Sequence, residues 1–88
     1  MKISITSETS EKIKECFFKK LNSFKKENSK YLKENKLSID NIFILFNSKN
    51  YIEYKFRDSF YKLDTIFQKE TELFFSEALK GCLDKYSE

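Results

Sequence analysis

The chain predicts an α+β fold in which two antiparallel helices pack on one face of a three-stranded sheet, in the order strand, helix, strand, strand, helix. Three observations carry this. Residues 39–56 contain an apolar run, Ile42 to Phe46, and a polar break at Asn47 to Asn50. An alternating segment follows, in which Ile52, Tyr54 and Phe56 oppose Tyr51, Glu53 and Lys55; that is the pattern of a β-hairpin whose first strand is apolar on both faces. The segments before and after it repeat apolar residues at helical spacings. Pro is absent and the only Gly is Gly81, so nothing marks a linker, and residues 1–88 read as a single domain.

The first strand is expected at Lys2–Thr6, with Ile3 and Ile5 on one face. Ser7, Glu8, Thr9, Ser10 and Glu11 then form a helix start, with hydroxyls able to cap free N–H groups and acids at the positive end of the dipole. The first helix should span Glu8–Glu34. Ile13, Cys16, Phe17, Leu21, Phe24, Tyr31 and Leu32 form its apolar stripe, and lysines occupy most of the remainder. At about 1.5 Å per residue it would reach roughly 40 Å, twice the ~20 Å of a six-residue strand. It therefore either projects beyond the sheet or breaks near Asn28-Ser29, with Asn35 as its C-terminal cap.

The hairpin comes next. A three-residue loop, Ser48-Lys49-Asn50, aligns Ile42, Ile44 and Phe46 with Ile52, Tyr54 and Phe56 on the helix side. Phe43, Leu45, Tyr51, Glu53 and Lys55 then face away. A two-residue loop would expose Ile42, Ile44 and Phe46 instead. The second helix is expected over Ser59–Lys80, extending as far as Tyr86, and capped by Asp58-Ser59. Phe60, Leu63, Phe67, Phe74 and Ala78 form its central stripe, Ile66 and Leu73 lie to one side, and Tyr61, Leu79 and Leu83 to the other. That arc exceeds the usual apolar stripe of about 100°, so the helix needs either deep burial or a second contact. The first strand should lie parallel to the second, with the second in the centre of the sheet.

An 88-residue chain holds one core and buries only about 60–65% of its unfolded surface, and ten Phe and five Tyr supply much of the apolar area. No 18-residue apolar run spans a membrane, and the N-terminus lacks a secretory h-region, so the expected compartment is the cytoplasm. Residues 1–57 carry 13 Lys and Arg against 7 acids, whereas residues 58–88 carry 4 against 7. Sixteen of the 17 cations are Lys, the compact cation rather than the bidentate one. The joint excess of Lys, Asn, Ile, Phe and Tyr matches the codon supply of an AT-rich genome.

Catalytic chemistry finds little material. There is no His, one Gly cannot build a phosphate loop, and two Cys without His make no zinc site. Cys16 and Cys82 fall where the ends of antiparallel helices meet, but the expectation is two buried free thiols. Neither cofactor nor metal nor small-molecule substrate is expected.

The surplus apolar surface points to a protein–protein interaction module of inhibitor, immunity or accessory type, which binds a protein partner or itself as a homodimer. Its candidate contact residues are Phe43, Leu45, Tyr51, Glu53 and Lys55 on the open sheet face, and Ile66 and Leu73 on the second helix. The alternative is nucleic-acid binding through Lys19, Lys20, Lys25 and Lys26 on the first helix, with Arg57.

Overall fold

A computed structural model describes residues 2–4, 7–47 and 51–86. The elements run β1 (Lys2–Ser4), α1 (Ser7–Glu27), α2 (Ser29–Glu34), a 3-10 turn at Ile39–Asn41, β2 (Phe43–Asn47), β3 (Tyr51–Phe56), a second 3-10 turn at Asp58–Lys62, and α3 (Thr65–Tyr86). The expected long first helix breaks at Asn28. The Asn28 side-chain amide donates to the Phe24 carbonyl at 2.9 Å, where the Asn28 backbone N–H also bonds, the local competition that makes Asn a poor interior residue. Asn35 caps α2 as expected. Beyond it Lys36 takes φ 56. Its N–H bonds to the Lys33 carbonyl and that of Leu37 to the Leu32 carbonyl, the paired bonds of a left-handed helix stop.

The α+β class stands, with helices packed on an antiparallel hairpin, but the strand arrangement differs from expectation. β3, not β2, is central: β2 pairs with one side of it and the three-residue β1 with the other, both antiparallel. The parallel β1–β2 crossover is not formed. The remainder of the expected first strand, Ile5 and Thr6, lies outside the described residues, as does the turn Ser48-Lys49-Asn50.

The register inverts the expected face of β2. Phe43 pairs with Phe56, Leu45 with Tyr54 and Asn47 with Ile52, and these six lie on one face; Ile44 pairs with Lys55 and Phe46 with Glu53 on the other. The first set meets the helices: Phe17 of α1 stacks on Tyr54, and Phe75 of α3 meets Phe43, Tyr54 and Phe56 edge-on or tilted at 5.0–5.4 Å. Asn47 explains the choice. Its side chain accepts from the Ser10 hydroxyl and donates to the Glu11 carboxylate at 3.1 Å, so a polar residue at the end of the inner row is satisfied by the start of α1. Ile42, which precedes β2, is fully buried.

The second helix also starts later than expected. Asp58 and Ser59 open a 3-10 turn, and the α-helical cap is Asp64, whose carboxylate accepts from the Phe67 N–H at 3.1 Å. Gln68 reaches back to the carbonyls of Leu63 and Tyr61. Phe60 and Leu63 are thus not on α3. The helix buries Phe67, Thr71, Phe75, Ala78, Leu79, Cys82 and Leu83, a continuous stripe at spacings of three and four. On α1 the expected stripe is the packed one: Ile13, Phe17, Leu21 and Phe24 are buried and Cys16 half-buried.

Phe24 on Phe74, Tyr31 on Phe67, and Cys16 bonded to Cys82 place the start of α1 beside the end of α3, so the helices run antiparallel. The cysteines are therefore not free thiols: they form a disulfide with Cα atoms 5.8 Å apart. Antiparallel packing brought the two ends within bonding distance. Among the described residues no helix is long and apolar enough to cross a membrane.

Candidate interaction surface

Two separate apolar surfaces remain after the core is assembled. The first is the outer face of the hairpin, where Ile44 and Phe46 stand beside Lys55 and Glu53. Phe46 is 40% exposed, while Ile44 and Glu53 are half-buried and Lys55 is exposed. The second is the outward ridge of α3, where Ile66 and Leu73 are 67% and 60% exposed. At 100° per residue these two lie together on the side opposite the buried stripe. Tyr61, 57% exposed, sits in the turn before α3 with its ring edge-on to Phe60.

The structure divides the expected contact residues. Ile66, Leu73, Glu53 and Lys55 lie where a partner can reach them. Phe43 and Leu45 do not form the open face: Phe43 is buried against Phe17 and Phe75, and Leu45 is half-buried against the core. The Tyr51 side chain lies outside the described residues. The outward pair on β2 is instead the exposed Phe46 and the half-buried Ile44; of the set that the alternative register exposes, Ile42 is buried. A run apolar on both faces carries no alternation to read. The one discriminating signal was Asn47, which continues the inner row and needs polar partners from Ser10 and Glu11.

Beside the outer edge of β2 runs an open groove of about 340 Å³ lined by Lys14, Phe18, Asp40, Phe43, Leu45 and Asn47. Sequence reading missed it because Phe18 lies off the α1 stripe. At its far end the Arg57 Nε donates to the Phe43 carbonyl at 3.3 Å, so this expected nucleic-acid contact is tied to the sheet edge. Lys19, Lys20, Lys25 and Lys26 are all exposed along α1. Only Lys19 and Lys20 converge, with Lys12 and Lys85, around a depression of about 220 Å³ that the Glu15 carboxylate shares, beside Cys16 and Tyr86.

The titratable chemistry is sparse. Burial pushes the Tyr54 hydroxyl above its usual range, and the Glu72 carboxylate adds to the shift. Among the described residues no three Asp, Glu or Cys side chains gather as a metal site. Comparison with protein-family models, with characterised proteins and with solved structures gives no match.

Proposed function

We propose that this chain is a small non-catalytic interaction module, of inhibitor, immunity or accessory type, that binds another protein or a second copy of itself. The observation that supports it is the exposure of Phe46, Tyr61, Ile66 and Leu73 on a chain of 88 residues. Ile66 and Leu73 share one side of α3 among Lys69, Glu70 and Glu77, and an apolar pair rimmed by Lys and Glu is ordinary interface composition. The non-catalytic part is supported by the absence of His from the sequence and by the commitment of both Cys to a disulfide. The Cys16–Cys82 disulfide favours an oxidising compartment over the cytoplasm expected from the sequence.

Site-specific photo-crosslinking tests this. A benzophenone amino acid at Ile66 should give a discrete protein adduct in the native cell, lost when Leu73→Glu is added. The same label at Lys33, exposed on α2 and away from the α3 ridge, serves as background, and adducts at Ile66 no stronger than that background sink the reading.

A second reading, nucleic-acid binding, is favoured by the convergence of Lys12, Lys19, Lys20 and Lys85. It requires binding that weakens steeply with salt. The absence of an electrophoretic shift at low salt with both RNA and DNA would remove it.

A further inference from the structure

We infer that the outer edge of β2 pairs antiparallel with the β2 edge of a second copy, with the two-fold axis at Leu45; this deepens the interaction reading by naming self-association as one of its contacts. The Arg57 N–H bonds to the Ile42 carbonyl, which sets the phase of the β2–β3 ladder. Antiparallel ladders alternate, so Ile44 and Phe46 spend their backbone groups on β3 while Leu45 turns its N–H and C=O outward. Among the described residues no strand or loop pairs with that edge. Open edges are usually protected by Lys, Pro or a bulge. β2, with the sequence Phe-Ile-Leu-Phe-Asn, carries none of these.

The edge is self-complementary. With the two-fold at Leu45, each Leu45 exchanges both backbone bonds with its copy, and Phe43 stands opposite Asn47. Ile44 then faces Phe46 in the closer, non-hydrogen-bonded geometry, a β-branched–aromatic pair of the kind that stabilises sheets. The exposed Phe46 and the half-buried Ile44 of the outer face thereby both gain a partner from one operation. Arg57 bonds one end of the edge at the Phe43 carbonyl, and that oxygen keeps a second lone pair for the incoming Asn47 N–H.

On the helix side, the flank of α1 beside the groove carries Glu11 and Glu15 together with Lys14 and Lys19. A two-fold brings two such flanks together antiparallel, with both signs present on each, so charge does not exclude the second copy. A five-residue strand contributes a contact about 17 Å long. With the α1 flank, such an interface falls near the low end of the specific range, around 1,200 Å² or less. The expected dissociation constant is on the order of 10 µM.

Sedimentation equilibrium from about 1 to 500 µM, with circular dichroism to confirm folding, tests the pairing in its register. Wild type should pass from monomer to dimer across this range. Ile44→Glu/Phe46→Glu sets acid against acid at both cross-strand pairs and should stay monomeric. Ile44→Glu/Phe46→Lys sets Glu against Lys at both, matches Lys55 and Glu53 opposite them in the same hairpin, and should dimerise again. A readout that needs no substitution is hydrogen exchange: the Leu45 amide should slow with rising concentration while that of Ile44 does not. A monomeric wild type at 500 µM overturns the inference, as does a folded Ile44→Glu/Phe46→Lys variant that remains monomeric, or a Leu45 amide indifferent to concentration. A monomer that still forms the Ile66 photo-adduct ends self-pairing and leaves the broader interaction reading standing.

Discussion

Replacing Thr71 by Val should stabilise the fold. Thr71 is 0% exposed at the centre of the α3 stripe, and among the described residues its hydroxyl has no hydrogen-bond partner. A buried hydroxyl stripped of water and left unpaired costs about 1–3 kcal/mol. Val keeps the shape and the β-branch, so the helix is asked to change little. Some of the gain goes to fitting a methyl where an oxygen sat, which leaves a net stabilisation of roughly 1 kcal/mol. For a domain of this size that raises the melting temperature by about 4–8 °C. Chemical denaturation monitored by far-UV circular dichroism, with and without the substitution, measures it directly. Thr71→Ser is the control: it retains the unpaired oxygen, deletes the methyl, and should destabilise by about 1 kcal/mol. A Val variant that is less stable than wild type would show that the hydroxyl has a partner, and the reasoning would fail.

Three further outcomes are expected. Reducing Cys16–Cys82, which closes a loop of 66 residues in sequence separation, should lower the unfolding free energy by up to about 4 kcal/mol; identical denaturation midpoints with and without dithiothreitol would contradict this. Lys36→Gly, at the left-handed position after α2, should stabilise by roughly 0.5 kcal/mol, since the relieved backbone strain exceeds the added chain entropy, and a loss of stability in urea titration would refute it. Tyr54 releases its proton less readily when folded than when unfolded, so the unfolded state deprotonates first and the tyrosine's contribution is lost as pH rises above about 10. Stability should therefore fall more steeply above that pH in wild type than in Tyr54→Phe, and equal slopes would remove the assignment.

What the sequence made readable followed periodicity. The α1 stripe, the two strands of the hairpin and the cap at Asn35 were legible, because each rests on local spacing or on a side chain acting within its own turn, and the break at Asn28 was legible as one of two alternatives. The hairpin register was not. Ile42 to Phe46 is apolar on every position, so the pattern itself gives no face, and the decision fell to long-range bonds from Asn47 to Ser10 and Glu11. The start of α3 was misplaced for a related reason: Asp58-Ser59 and Asp64 offer equivalent caps, and only the packing of Phe60 on Phe56 separates a 3-10 turn from the helix proper. Thr71 and Phe75 went unread because the apolar arc of α3 runs nearly all round. Once the register moved, the candidate surface moved with it, from Phe43 and Leu45 to Ile44 and Phe46.

The two exposed surfaces demand separate explanations, because they lie on opposite sides of the molecule. Ile44 and Phe46 project from the face of the sheet that the helices do not cover, whereas Ile66 and Leu73 project from the side of α3 turned away from its packed stripe. No single flat partner touches both. Neighbouring positions on α3, Lys69, Glu70, Glu72 and Glu77, show that this helix carries charge readily outside its core. An apolar pair retained two turns apart, about 10 Å, therefore suits a short helix or groove rather than a broad sheet contact. On the pairing proposed above, the outer sheet face would be completed by a second copy alone. A β2-paired dimer leaves both α3 ridges free and related by the same two-fold axis. A protein partner of the α3 ridge would then bind this dimer either as a two-fold symmetric protein or as two copies. Binding stoichiometry distinguishes these from a single asymmetric partner, since one partner chain per ridge gives equal numbers of each, and titration calorimetry at concentrations above the dimer constant reads that ratio directly. A ratio of one partner chain per two copies of this protein would show that the ridges do not bind independently.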